Sequence, residues 1–187
     1  GKDMGAIMVR KTTKDKIIDY ISYFFIYSCL GWIIETIYAF IIHGHFVNRG
    51  FLFGPLCPIY GFGAVILLLV TKKMYGKPLQ KFLIATVLFT LFEYMVSLLL
   101  EMIFGLRWWD YSNDFLNIQG RVSLMYTIFW GLIGLIMLEK IHPLIENLIQ
   151  KMEVRINRNN KAIIVYVLVG ILILDFILSS LKYLNIF

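Results

Sequence analysis

Long apolar runs are the feature that most constrains how this chain can fold. A helix of about 20 apolar residues crosses the roughly 30 Å hydrocarbon layer of a bilayer. Hydrophobic residues make up 59% of the 187 residues and charged residues only 16%, which is more apolar surface than a soluble core of this size can bury. We therefore predict an all-α, polytopic transmembrane helix bundle, a single membrane domain over residues 1–187 with about five transmembrane helices. The predicted spans are residues 17–42, 55–71, 82–104, 122–138 and 162–181.

The basic residues alternate between the two ends of these spans. Five Lys or Arg residues precede the first span, four lie within 72–81, and five lie within 139–161. The opposite side has only four, which are Arg49, Arg107, Arg121 and Lys182. Because basic residues accumulate in cytoplasmic loops, we expect a cytoplasmic N-terminus, and we call the opposite side the outer face. The net charge of +6 then reports topology and predicts no nucleic-acid partner.

The connection at residues 48–61, with the sequence NRGFLFGPLCPIYG, is too apolar for a simple solvated loop. Its glycines allow close backbone approach, and its two prolines remove backbone donors. Irregular backbone beside a span requires protein or a water-filled cavity to satisfy its polar groups. We expect a re-entrant or broken-helix segment that lines a site, with Asn48, Arg49 and Tyr60 as candidate binding residues. The alternative is a tight interfacial turn without a ligand.

Residues 143–157 have the pattern of an amphipathic helix. Apolar residues from Leu144 to Ile156 recur at helical spacing, opposite a face that carries Glu146 and Lys151. We expect this helix to lie on the inner membrane surface or to extend the fourth span. Such a basic helix either binds anionic lipid or docks a cytoplasmic partner such as an ATPase.

Four acidic residues lie deep in the apolar runs, where a charged group costs about 2.5–3.5 kcal/mol. They are Glu35, Glu93, Glu101 and Asp175. Since the same runs contain no basic residue to pair with them, arginines of the outer connections are the expected partners. Glu35 and Glu93 each share a helix face with other polar or small residues, which predicts either a ligand or proton site or hydrogen bonds between helices. For Asp175 the interhelical contact is favoured.

The second outer connection, residues 107–121, adds Trp109, Asp110, Asn117 and Arg121 as candidate binding residues. Together, Arg49 and Arg121 could clamp a carboxylate or phosphate, or they could be satisfied by the acids in a structural network. His43 and His45 form an isolated His-x-His pair without further spaced ligands, so we expect no metal. No cofactor is expected either.

Four separated motifs resemble a known family of bacterial membrane proteins. The motifs are YSCLGWIIE (27–35), NRGFLFGPLCPIYG (48–61), WDYS (109–112) and NIQGR (117–121). In this order they resemble the putative ABC-transporter type IV, or CmpB-like, proteins over roughly residues 20–140. The resemblance implies a multi-pass protein of the bacterial plasma membrane with a role in transport. The sequence contains no Walker motif, so ATP hydrolysis would require a separate subunit.

The expected function is therefore that of a small transporter or a substrate-capture or permease subunit. It would bind a small polar or anionic solute, or a lipid head group, from the outer face. A chain of this size implies a homo-oligomer or a separate ATPase subunit. Two alternatives remain: a membrane-embedded enzyme acting on a lipid or lipid-linked substrate, and a regulatory or scaffold membrane protein. The enzyme is less favoured because no nucleophile–base pair stands out.

Overall fold

Helices account for the regular structure of the computed structural model, which describes residues 11–46, 52–74 and 76–185. One isolated antiparallel bridge joins Ile118 and Val122. The predicted all-α architecture is confirmed. The helices are α1 (Thr13–His43), α2 (Pro58–Thr71), α3 (Pro78–Phe104), α4 (Leu124–Ile136), a π-helical turn (Met137–Ile141), α5 (His142–Arg155) and α6 (Arg158–Tyr183).

Four helical stretches of the described chain are long and apolar enough to cross a membrane. They are α1, α3, α6 and the run Leu124–Arg155, which joins α4, the π turn and α5. Helix α2 has 14 residues, and at about 1.5 Å per residue it is about 21 Å long, shorter than the roughly 30 Å hydrocarbon layer. A fifth span would therefore need residues in addition to α2.

The backbone before α2 is irregular from residue 52 to residue 57. The helix begins at Pro58 and not at the predicted residue 55, since proline is well suited to a first turn, where its missing amide hydrogen has no intrahelical partner. The irregular stretch agrees with the predicted broken segment. Residues 47–51, which include Asn48 and Arg49, lie outside the described residues.

The fourth span continues beyond its predicted end at residue 138. Pro143 removes an intrahelical hydrogen bond, and the turn before it widens so that the backbone amide of His142 bonds to the carbonyl of Met137. Such π turns interrupt an α-helix without ending it. Two arrangements are expected for residues 143–157. The structure shows the second, in which the helix extends the fourth span as one helical run from Leu124 to Arg155.

The helices pack as two pairs, α1 with α2 and α3 with α4, and contacts between α2 and α3 join the pairs. Small residues allow this close approach. A Cβ atom on Gly61 would lie 2.6 Å from the Phe24 carbonyl oxygen of α1, and one on Gly134 would collide with Ala85 of α3. Helix α6 contacts α1 through Ile18, Ala162 and Val165.

Candidate functional site

Glu35 lies on α1 and accepts a hydrogen bond from the hydroxyl group of Tyr60 on α2, at 2.5 Å. This contact depends on Gly31, one turn before Glu35. A Cβ atom at position 31 would lie 2.6 Å from the Cβ of Tyr60 and closer still to its ring. The missing side chain of Gly31 therefore lets Tyr60 lie across α1 and reach Glu35.

Glu93 lies on α3 and is 5% exposed. The indole N–H of Trp130, on α4, donates a hydrogen bond to its Oε2 atom, and the hydroxyl of Tyr111 lies close enough to the carboxyl group to interact with it electrostatically. The Trp130 ring also packs edge-on against Tyr60, with 5.9 Å between ring centroids. The two acids are thus linked through aromatic side chains. We call Glu35, Tyr60, Glu93, Tyr111 and Trp130 the acid–aromatic cluster.

The second carboxylate oxygen of Glu93, Oε1, is buried and has no hydrogen-bond partner among the described residues. The buried hydroxyls of Ser28, Thr36 and Ser123 and the Nε atom of Arg121 also lack partners within the described ranges. Buried polar atoms are nearly always hydrogen-bonded in proteins, and an unsatisfied one costs about 1–3 kcal/mol. The unpartnered oxygen of Glu93 therefore has the chemistry to accept a hydrogen bond from a ligand or a water, or to take up a proton.

Tyr111 joins the cluster from the outer connection. Its burial, followed by the negative charge of Glu93, raises the pKa of its hydroxyl, so Tyr111 stays protonated and remains a donor. Its ring stacks on Tyr126 of α4 with 4.6 Å between centroids. The outer connection is thereby held against the helices at the depth of Glu93.

Arg121 extends from the same connection and is 6% exposed. Its Nη2 atom lies 2.8 Å from Oε2 of Glu101, and its Nη1 atom donates a hydrogen bond of 3.0 Å to the hydroxyl of Ser97. Arg107 binds the same Glu101 oxygen through Nε at 3.1 Å. Arg107 and Arg121, the two described arginines of the outer connections, therefore pair with Glu101. The predicted pairing of Arg49 with an intramembrane acid concerns a residue outside the described ranges.

The other candidates of the outer connection make hydrogen bonds within that connection. Trp109 donates its indole N–H to the carbonyl of Arg121 at 2.9 Å. Asp110 accepts from the hydroxyl and the backbone amide of Ser112, and these bonds lower the pKa of the carboxyl. Asn117 donates to the carbonyl of Asp114 at 3.0 Å. Trp109, Asp110 and Asn117 thus shape the connection, and their role in binding stays a prediction.

Asp175, the remaining intramembrane acid, has a different environment. It accepts hydrogen bonds of 2.8 Å from the backbone amides of Phe53 and Gly54, and one of 2.9 Å from the Ser179 hydroxyl on its own helix. The carboxylate of α6 thereby satisfies two donors of the irregular stretch before α2. This agrees with the structural contact that the sequence favours at Asp175.

The structure adds Gly31, Tyr111 and Trp130 to the candidate residues. Gly31 and Tyr111 stand within motifs that the sequence singles out, YSCLGWIIE and WDYS, but neither motif indicates which acid they serve. Trp130 has no such signal, since a tryptophan in an apolar run is also typical of lipid-facing surface. The described residues contain no group of three or more His, Cys, Asp or Glu side chains suited to a metal ion.

The model of the putative ABC-transporter type IV family matches residues 22–180. The chain belongs to this family. The match extends beyond residues 20–140, the approximate extent of the resemblance expected from the four motifs, so that α5 and most of α6 lie inside the family unit. Family and helices together make this a membrane protein related to transport. No curated protein and no solved structure shows significant similarity to the chain.

Proposed function

We propose that this family member is a small transporter, or a substrate-capture or permease subunit, in a bacterial plasma membrane. It binds a small polar solute from the outer face at the acid–aromatic cluster. The observation that supports this most directly is the buried Oε1 atom of Glu93, which lacks a partner among the described residues. A structural hydrogen-bond network would satisfy such an atom.

The chemistry of the cluster indicates the class of solute. A carboxylate oxygen accepts hydrogen bonds, so a ligand at Glu93 carries a donor such as an ammonium or hydroxyl group. The described arginines of the outer connection offer less to an anion, because Arg121 and Arg107 already pair with Glu101 and only the Nε atom of Arg121 is buried without a partner among the described residues. We therefore favour a solute with donor groups over the anionic solute or lipid head group.

Movement of a solute across the membrane requires more than one such chain. Much of the apolar surface remains exposed, for example at Ile34 (59%), Ile41 (75%) and Ile171 (59%). These surfaces contact lipid and offer room for a second copy or another membrane subunit. An ATPase would act from the cytoplasmic side in the predicted orientation.

The test compares a gene deletion with strains that express wild-type, Glu93→Gln or Thr127→Ala protein at equal membrane abundance. Thr127 is the matched control because it makes a hydrogen bond of 3.2 Å to Thr90 across the same α3–α4 interface. Intracellular polar metabolites are measured by mass spectrometry. We expect at least one solute to depend on the wild-type and Thr127→Ala proteins and to return to the deletion level in Glu93→Gln. Wild-type behaviour of Glu93→Gln would refute the site.

Two further measurements on the same strains separate the alternatives. A lipid species that appears or disappears in the deletion would favour the membrane-embedded enzyme. If Glu93→Gln lowers the thermal stability of the detergent-solubilised protein and leaves every metabolite unchanged, the cluster is structural and the protein is a scaffold or regulator.

A further inference from the structure

A cavity of about 380 Å³ opens at the opposite end of the bundle from the acid–aromatic cluster. We call it the inner-end cavity. Small-molecule sites typically have volumes of about 300–1,000 Å³, so its volume suits a small ligand or a lipid head group. Residues of α1, α2, α3, the π turn and α5 line it. Its polar lining includes Lys16, Tyr20, Tyr23, Lys72, Lys81 and His142.

The charges around the inner-end cavity leave two cations available. Asp19 is paired at 2.6 Å with both Lys11 and Lys161, and Lys81 is paired with Glu139 at 2.7 Å. Lys16 and Lys72, by contrast, make no ion pair within the described ranges. Both line the cavity together with a second carboxylate, Glu146, which lies 3.1 Å from the His142 ring. Lys16 and Lys72 therefore offer a ligand two ammonium groups that are not engaged in ion pairs.

Two hydroxyl donors stand beside these lysines. Tyr20 and Tyr23 contact each other edge-on at 5.7 Å, and Tyr23 packs on the His142 ring at 4.7 Å. Neither tyrosine hydroxyl has a hydrogen-bond partner in the described part of the chain. Ammonium and hydroxyl donors converging on one cavity match the several acceptor oxygens of a phosphate group.

We propose that the inner-end cavity is a second binding site, which takes the phosphate group of an anionic phospholipid from the cytoplasmic leaflet. The leaflet follows from the predicted orientation, and that leaflet carries the anionic lipids that attract basic segments. The apolar part of the cavity wall, Leu68 and Leu138, suits the start of a lipid's acyl region. This site does not depend on the outer solute site.

The test uses native mass spectrometry of the full chain, released from detergent that contains equal amounts of phosphatidylglycerol and phosphatidylcholine. The variant is Lys16→Gln/Lys72→Gln. The matched control is Lys73→Gln/Lys77→Gln, which removes the same charge from the same end of the bundle at lysines that do not line the cavity. Lys16 and Lys72 are exposed, so both double variants should fold.

We expect the wild-type and control proteins to retain phosphatidylglycerol in preference to phosphatidylcholine. Each lysine near an anionic lipid surface contributes about a fivefold gain in affinity, so the cavity variant should bind phosphatidylglycerol about thirtyfold more weakly. Displacement of the lipid by millimolar glycerol 3-phosphate would assign the site to a soluble phosphate compound with the same phosphate chemistry. Equal retention by the two double variants, or no preference between the lipids, would overturn the proposal.

Discussion

Replacement of Arg121 by methionine tests whether the outer connection is locked by a buried charge. Methionine keeps much of the side-chain length and removes the ion pair to Glu101 and the hydrogen bond to Ser97. Hydrogen bonds to charged groups contribute about 1.5–3 kcal/mol each. The Glu101 side chain is 37% exposed, so solvent screening reduces the contribution of the Arg121–Glu101 ion pair to stability. We expect Arg121→Met to lower the free energy of unfolding by about 2–3 kcal/mol.

Arg107→Met is the matched control, because Arg107 binds the same carboxylate from a more exposed position. Its side chain is 33% exposed, compared with 7% for Arg121. Exposed ion pairs typically contribute about 0.2–1 kcal/mol, so this variant should lose about 1 kcal/mol or less.

The assay is equilibrium unfolding in mixed micelles with increasing sodium dodecyl sulfate, followed by tryptophan fluorescence. Both variants are extrapolated to zero denaturing detergent. Equal losses for Arg121→Met and Arg107→Met would refute the reasoning, since burial would then add nothing to the Arg121 contacts. A loss below about 0.5 kcal/mol for Arg121→Met would do the same.

Three other changes test the helix packing, the α6 contact and the orientation. Gly134→Leu should destabilise the protein by about 1–3 kcal/mol in the same unfolding assay, because Ala85 fills the space beside Gly134. Gly170→Leu should be near neutral, because no atom lies within 4 Å of a Cβ atom at position 170. Equal effects of the two substitutions would contradict the packing. Asp175→Ala should speed proteolysis near residues 52–57, since two backbone amides lose their acceptor; an unchanged cleavage rate would count against that contact. In intact cells, a membrane-impermeant maleimide should label Asn113→Cys and not Lys73→Cys, and the reverse result would invert the topology.

The sequence predicted the intramembrane acids but not all of their partners. The free energy of placing a charged side chain in hydrocarbon depends only on residue type and depth. This cost by itself indicates that partners are needed by Glu35, Glu93, Glu101 and Asp175. Arginines of the outer connections are the expected partners because the apolar runs themselves contain no basic residue. Arg121 reaches Glu101, whereas Trp130 and Tyr111 reach Glu93. These pairings depend on how α3, α4 and the outer connection are placed, which no spacing within one helix reports.

The inner end of the bundle shows the same limit. The basic residues there indicate the cytoplasmic side, and their number is enough for that purpose. Which lysines are neutralised depends on contacts between distant segments, such as Lys161 with Asp19 and Lys81 with Glu139. These contacts leave Lys16 and Lys72 without an ion pair among the described residues. Because the contacts are tertiary, counting charges in the sequence could not predict which lysines of the inner-end cavity are available to a ligand.

The amino-acid sequence by itself determined that this is a helical membrane protein. The length and apolarity of each run are local properties of the sequence, and they suffice to favour insertion of the run into lipid as a helix. It also indicated the polar faces of α1 and α3. Only the structure decided that α2 is a short helix after irregular backbone, that α4 continues through a π turn into α5, and that Glu35 and Glu93 meet aromatic donors. Pro58 and Pro143 are local causes of the first two features. The meeting of acids and aromatic donors depends on close packing between segments far apart in the chain, as where Gly31 makes room for Tyr60.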